Sequence, residues 1–264
     1  MIYAQMSVSE RRLLPPAVAV STVAFALHPP ARAQVGTRDL QPEPTDEGAT
    51  LWLPLVRRTR APFSGDWALP GGPIPWNETL ASTAVRTLRE AARSDPGYLE
   101  QLYSFGAVER SADAQRLVTI AYWALYADHS FETTSDIGEM TEPTEAHTPE
   151  VHDPNVAWFS ADRLPRLAFD HKEIVAHALD RLRSKTEYST VAYRFLGPRF
   201  TLTQLREVHE AVLGDTVDPA NFRRQALAQG HLIDTGEVTS GARHRPARLY
   251  RFREPTDQPT RNLS

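Results

Sequence analysis

Cysteine does not occur in this chain of 264 residues. Its absence removes disulfides, thiol nucleophiles and cysteine-based zinc sites together, and fits a reducing compartment. Lysine is nearly absent as well, with only Lys172 and Lys185, so association with a polyanion is expected to be driven by arginines. No apolar run is long enough to span a membrane, and no membrane contact is expected. Net charge is −4, which by itself predicts no nucleic-acid partner. That average hides a gradient. Tyr188 to Arg253 holds ten arginines and six acidic residues, a balance of +4, which leaves −8 for the rest of the chain. A basic C-terminal segment on an acidic protein is a partner signal.

What is present is enough for real cores, with 41% hydrophobic residues over a length that suits one large domain or two ordinary ones. Near the start, Glu10 to Leu27 has a basic pair and a short apolar run, followed by Ala31-Arg-Ala33, which together imitate an export signal. The β-branched Val18, Val20, Thr22 and Val23 also read as a buried strand, and a strand over Ala17–Leu27 is the expectation. A cytoplasmic location follows from that choice. Residues 1–15 read as a flexible tail. Strands are expected at Leu51–Arg58, Trp67–Leu69, Tyr98–Gly106, Arg116–Tyr126 and Val156–Phe159. Pro54 marks the second strand as an edge or a bulge. The segment 128–153 carries eight carboxylates and no lysine or arginine and reads as a solvated acidic insertion. Ile174, Val175, Ala178, Leu179 and Leu182 give Phe169–Lys185 the stripe of a helix, with Asp170 able to cap it. Strands around helices make the class α+β, with a mixed sheet.

One stretch is more specific. Trp67-Ala-Leu-Pro-Gly-Gly72 ends a strand, Asn77 is a candidate N-cap, and Leu80, Ala84, Val85 and Leu88 make one apolar face of a helix from about Glu78 to Ala92. This resembles the Nudix box: Gly72, Glu78, Arg86, Leu88 and Glu90 match its pattern. Thr87 and Ala91 stand where the family has glutamates that hold Mg²⁺, and Arg93 stands where it has glycine. Mg²⁺ wants several carboxylate or water oxygens at fixed geometry, so the resemblance implies a kept loop and helix without the metal ligands. The plainer alternative is an ordinary amphipathic helix after a Gly-Gly turn.

From residue 200 onward the order is helix, short turn, helix, basic hairpin. Leu205, Val208, Val212 and Leu213 form the inner face of the first helix, and Gly214 stops it. Asp218-Pro219 is a cap with proline at the first helical position of the second. Arg243, His244 and Arg245 lie at the tip between two strands. This is the grammar of a winged helix-turn-helix. In it the second helix enters the major groove, placing Asn221, Arg223 and Arg224 at the bases, Thr203 at the interface, and Arg243, His244 and Arg245 on phosphates or a minor groove. A helical domain that docks another protein is the alternative.

The combination resembles the Nudix-related transcriptional regulators of NAD metabolism, the NrtR family. The resemblance rests on Trp67 to Gly72, Tyr98 to Gly106, Val118 to Leu125, Phe169-Asp-His171, Asn221-Phe-Arg-Arg224 and Arg245 to Phe252. It implies a Nudix-like α/β/α sandwich at 16–165, a connecting helix at 166–187, a winged helix-turn-helix at 188–254 and a short tail at 255–264. It further implies a homodimeric repressor on a pseudo-palindromic double-stranded operator at NAD biosynthesis or salvage genes, released by ADP-ribose or a related nucleotide. Arg57, Arg58, Gly71, Gly72, Glu78, Arg86 and Glu90 are the expected ligand-binding residues. No catalytic residue, bound metal or required cofactor is expected. An active pyrophosphatase acting on ADP-ribose or NADH is the competing reading.

Overall fold

The computed structural model describes residues 7, 10, 13–36, 50–111, 115–127, 153–188, 190–239 and 246–253. The first strand, β1 (Ala17–Phe25), lies beside β6 (Leu117–Leu125) in parallel register from Ala17 opposite Leu117 to Phe25 opposite Leu125. These two central strands carry one apolar set on each face. On one side Val23, Phe25, Trp123 and Leu125 pack against the helix α2 (His171–Tyr188) through its residues Ile174, Val175, Ala178 and Leu182. On the other, Val20 and Tyr122 meet Ala84, while Ala24 and Ala124 meet Leu88 and Ala92, all three of the latter from the box helix α1 (Leu80–Ala92). The sheet is thus sandwiched between two helices.

The sheet is completed by β4 (Gly71–Pro73), antiparallel to β1, and β5 (Tyr98–Phe105), antiparallel to β6 with a register shift between Gln101 and Tyr103. A second, three-stranded antiparallel sheet has β2 (Trp52–Arg57) between β3 (Trp67–Ala68) and β7 (Val156–Ser160). The two sheets meet where Ala26 and Trp52 exchange backbone hydrogen bonds of 2.8 and 2.9 Å. β2 is the middle strand, not an edge. Pro54 is tolerated there because β3 pairs only with Val56 and Arg57, so Pro54 has a ladder on the β7 side alone, opposite Trp158.

Two expectations at the box need correction. Gly71 and Gly72 do not simply end a strand, because they form β4 against β1. A Cβ on Gly71 would fall on the Val20 carbonyl oxygen, so backbone contact demands glycine there, whereas a Cβ on Gly72 would meet nothing within 4 Å. The N-cap of α1 is Thr79, not Asn77. Its hydroxyl accepts the Ser82 N–H, and the Ser82 hydroxyl accepts the Thr79 N–H at 2.8 Å. The helix ends on Arg93, whose φ of 56° and ψ of 19° lie in the left-handed region. The Nudix pattern has glycine at this position, which adopts that conformation without a Cβ penalty. Replacing Arg93 with glycine is therefore expected to stabilise the fold by about 1 kcal/mol, read as a raised midpoint in urea. An unchanged or lowered midpoint would contradict this.

Beyond α2 a 3-10 turn (Thr190–Phe195) leads to α3 (Leu202–Leu213), α4 (Pro219–Ala228) and the hairpin β8 (Leu232–Val238) and β9 (Arg248–Phe252). Capping fixes the helix ends. Thr201 and Gln204 form a reciprocal cap on α3, Gly214 closes it at φ 78°, and the Asp218 carboxylate accepts the Asn221 N–H at 2.7 Å. Phe200 pairs with Tyr250 through two backbone hydrogen bonds, an isolated bridge that ties the start of α3 to the wing. Phe195, Phe200, Leu205, Val208, Val212, Phe222 and Tyr250 form one buried cluster with the α2 stripe and the inner sheet face. The core runs unbroken from the sandwich into the winged module, and α2 is the shared element. No helix among the described residues is long and apolar enough to cross a membrane.

Candidate ligand cleft and nucleic-acid interface

The end of β2, the β3–β4 connection and the open face of α1 enclose a cleft of about 350 Å³. Its walls bring together Arg57, Arg58, Thr59 and Arg60 from the β2 end, Leu69, Pro70 and Gly71 from the connection, and Thr87, Glu90 and Ala91 from α1. Of the seven residues expected to bind ligand, the structure places Arg57, Arg58, Gly71 and Glu90 on this lining, while Gly72, Glu78 and Arg86 are outside it. The reason for the last two is an ion pair. Arg86 Nε donates to Glu78 Oε1 at 2.7 Å, and Arg86 donates to Glu90 Oε1 at 3.0 Å. Hydrogen bonding from Arg86, aided by Thr83 and opposed by burial, holds the Glu78 carboxyl below its ordinary range. Arg86 is thus tied to carboxylates and is not a charge left for a phosphate. The N-terminus of α1, capped by Thr79 and Ser82, is likewise no part of the cleft wall.

Arg57 and Arg58 are held differently. Arg57 Nε donates to the Gly65 carbonyl at 3.2 Å and Arg58 Nε to the Pro62 carbonyl at 2.9 Å. Among the described residues neither pairs with a carboxylate. With Arg60 they make one wall of the cleft cationic, a wall suited to bidentate phosphate contacts. Burial lowers the pKa of Arg58, yet an arginine stays charged. Arg60, which lines the cleft beside the two expected arginines, is an addition to the residues the sequence pointed to.

The residues at the metal positions of the box do not fit Mg²⁺. Thr87 is buried, and its hydroxyl donates to the Ala84 carbonyl at 3.1 Å. Ala91 offers no oxygen. Glu90 is the one carboxylate on this face of α1 in the cleft, and it faces Arg86. Among the described residues no group of three or more His, Asp or Glu side chains could hold a metal ion.

The segment before α2 and the first residue of that helix are tied to the strand that leads into the cleft. The Leu69 N–H donates to His171 Nδ1 at 3.0 Å, and the Ala168 N–H to the Trp67 carbonyl at 2.8 Å. Burial pushes the His171 pKa down to about 4, so the ring is neutral near pH 7 and its free Nδ1 lone pair accepts the bond. The Asp170 carboxylate does not accept from the N–H groups at the helix start. Arg110, 3% exposed at its side chain, takes both oxygens at 2.7 Å. Although burial raises the Asp170 pKa, hydrogen bonds from Arg110 bring it below the ordinary carboxylate range. Sequence reading had no signal for His171 as the partner of Leu69.

In the winged module, Thr203 and Arg223 share a cleft of about 360 Å³ with Thr201, Pro246 and Arg248. Asn221 and Arg224 lie outside that lining on α4, where Arg224 donates to the Asn221 Oδ1 at 2.6 Å. The first turns of α4 therefore present an exposed Arg223 and an exposed Arg224, with Asn221 orienting the latter, while Phe222 and Ala226 face inward. Arg248, not foreseen as a site residue, pairs with Asp234 at 2.7 Å. Arg243, His244 and Arg245 fall outside the described residues.

Comparison with known proteins now decides the family. Residues 44–178 match the NUDIX domain, and residues 192–252 match the NrtR DNA-binding winged helix domain. The ADPR responsive transcriptional repressor NtrR of Acinetobacter baylyi is 31% identical over 78% of this chain and 77% of its own length. This chain belongs to the NrtR family. The crystal structure of Shewanella oneidensis NrtR complexed with a 27mer DNA superposes with a TM-score of 0.65 at 31% identity, covering 91% of this chain and 95% of that one. An ADP-ribose pyrophosphatase of Methanocaldococcus jannaschii is 29% identical over 46% of this chain and 62% of its own length. As in other NrtR family members, a Nudix fold with a mixed sheet is followed by a winged helix.

Proposed function

We propose that this protein is a transcriptional repressor, released from its operator by ADP-ribose or a related nucleotide. The observation that carries the reading is the arginine wall of the Nudix-like cleft, joined through one continuous core to a winged module with arginines on its second helix. In this reading residues 16–165 take the ligand, 188–254 take double-stranded DNA, and α2 connects them. The protein works as a homodimer on a pseudo-palindrome controlling NAD biosynthesis or salvage genes in the cytoplasm. Membership of a family that includes an ADPR responsive repressor and a DNA-bound NrtR supports it. A gel shift with the DNA upstream of the protein's own gene tests it: a retarded band that ADP-ribose abolishes is expected. Absence of any retardation, or a band indifferent to ADP-ribose and related nucleotides, would contradict it.

The Nudix-like domain is read as a sensor without hydrolase activity. The support is the donor set: one ion-paired glutamate on the cleft face of α1, a threonine whose hydroxyl is bonded to its own helix, and an alanine. With Mg²⁺ present, the protein is expected to release no AMP from ADP-ribose or NADH above background. Turnover near the enzyme median of about 10 per second would establish the pyrophosphatase reading instead.

A further inference from the structure

We infer, on the basis of the repressor reading above, that Phe169, Asp170 and His171 are the positioning residues through which occupancy of the cleft is passed to α2. Three consecutive residues reach three separate anchors. The Phe169 ring lies 4.7 Å from the Arg58 guanidinium and meets Phe63 edge-on at 4.8 Å. Asp170 is clamped by Arg110, which also donates to the Thr119 hydroxyl at 2.8 Å and the Phe105 carbonyl at 3.2 Å and so ties this point to β5 and β6. His171, the first residue of α2, accepts the Leu69 N–H. Two of the anchors, Arg58 and Leu69, are walls of the cleft, and the third is a fixed post in the sandwich.

This arrangement has a built-in competition. A guanidinium over an aromatic face is held less strongly than one gripping a phosphate bidentately. An anion in the cleft therefore draws Arg58 off the Phe169 ring. Phe169 sits at φ 55°, a left-handed conformation uncommon for a residue with a side chain, and its ring contacts hold it there. Losing the Arg58 contact frees that backbone to relax, one residue before Asp170 and two before the helix. At its far end α2 is tied to the winged module. Arg183 Nε donates to the Val212 carbonyl of α3 at 3.1 Å, and Leu182 is fully buried in the shared cluster. Close-packed elements of this kind move as units. A nucleotide whose phosphates do not reach Arg58 binds, on this account, without releasing DNA.

The test uses the full-length protein and operator DNA. Operator affinity is measured with and without saturating ADP-ribose, and ADP-ribose affinity is measured without DNA. Phe169→Asn removes the ring and suits a left-handed backbone. His171→Leu removes the acceptor, and His171→Asn restores one. In Phe169→Asn and His171→Leu, the ligand-induced loss of operator affinity is expected to shrink at least about fivefold, the low end of ordinary coupling. Operator affinity without ligand stays within about threefold of the parent in all three, a difference of well under 1 kcal/mol, and His171→Asn keeps most of the coupling. Unchanged coupling in Phe169→Asn overturns the inference, and that variant decides alone should His171→Leu not fold. Coupling lost equally in His171→Asn and His171→Leu overturns the part assigned to the hydrogen bond. A parent protein with no coupling at all would instead overturn the repressor reading on which the inference rests.

Discussion

Replacing Arg57 and Arg58 together with glutamine is expected to weaken ADP-ribose binding by about a hundredfold or more. Hydrogen bonds to charged groups contribute about 1.5–3 kcal/mol each, and 1.4 kcal/mol is tenfold in affinity. Two guanidinium groups lost to a diphosphate therefore amount to at least about 3 kcal/mol. Their present bonds run to the Gly65 and Pro62 carbonyls in a loop outside the main core, so the fold should survive, which a urea midpoint near that of the parent would establish. The variant also loses the Arg58 contact with the Phe169 ring, so it should bind operator DNA more weakly than the parent without ligand, and the binding that remains should not fall further at ADP-ribose concentrations that release the parent. Titration calorimetry giving an affinity within about threefold of the parent, a difference well below one hydrogen bond of this kind, would remove these arginines from the ligand site.

The second large effect belongs to α4. Arg224 is exposed, on the first turns of the helix, and oriented by its bond to Asn221. If it reads a base edge, Arg224→Ala costs about 1–3 kcal/mol per half-site and relaxes preference at one operator position. Both half-sites of a dimer lose the contact, so operator binding is expected to fall by about 30-fold or more. Because Asn221 holds Arg224, the double variant Asn221→Ala with Arg224→Ala should cost less than the sum of the two single changes. Arg223, in the cleft with Thr203 and Arg248, should behave as a phosphate contact. Its loss weakens all sequences alike and reduces the salt slope by about one per contact. A loss for Arg224→Ala that is equal on every sequence would make it a phosphate contact too.

The parts of this structure that were legible in the sequence are those written locally. Thr201, Gly214 and Asp218-Pro219 carry their own capping chemistry, so α3 and α4 begin and end within a residue or two of the places these signals indicate. The alternation and continuity of Ala17–Phe25 and Leu117–Leu125 marked the two central strands. Local signals also misled. Asn77 is as good a cap as Thr79, and only the reciprocal partner Ser82 decides between them. Pro54 disfavours a central strand on general grounds, and only the two-residue length of β3 explains the exception. Glu78 and Arg86, both expected at the ligand, pair with each other instead, and neither lines the cleft wall.

The ties between the cleft and the start of α2 were not legible at all. His171 and Leu69 are 102 positions apart, and Arg110 and Asp170 are 60 apart. Neither pairing leaves a periodicity or a motif in one sequence, since each is set by how β3, the turn after β5 and the start of α2 converge. The helix stripe at Ile174, Ala178 and Leu182 indicated that α2 packs somewhere. It did not indicate that the same stripe closes the sandwich and continues into the winged core.

The central claim is that ligand and operator oppose each other through one molecule. Reciprocity makes it measurable from either side: whatever factor ADP-ribose removes from operator affinity, operator must remove from ADP-ribose affinity. The decisive measurement is the ADP-ribose dissociation constant of the full-length protein, free and in the presence of a saturating operator duplex at fixed salt. The account predicts weaker binding on DNA, by a factor of about 5–150 that matches the loss of operator affinity seen with ligand. Equal ADP-ribose affinities with and without DNA would contradict it.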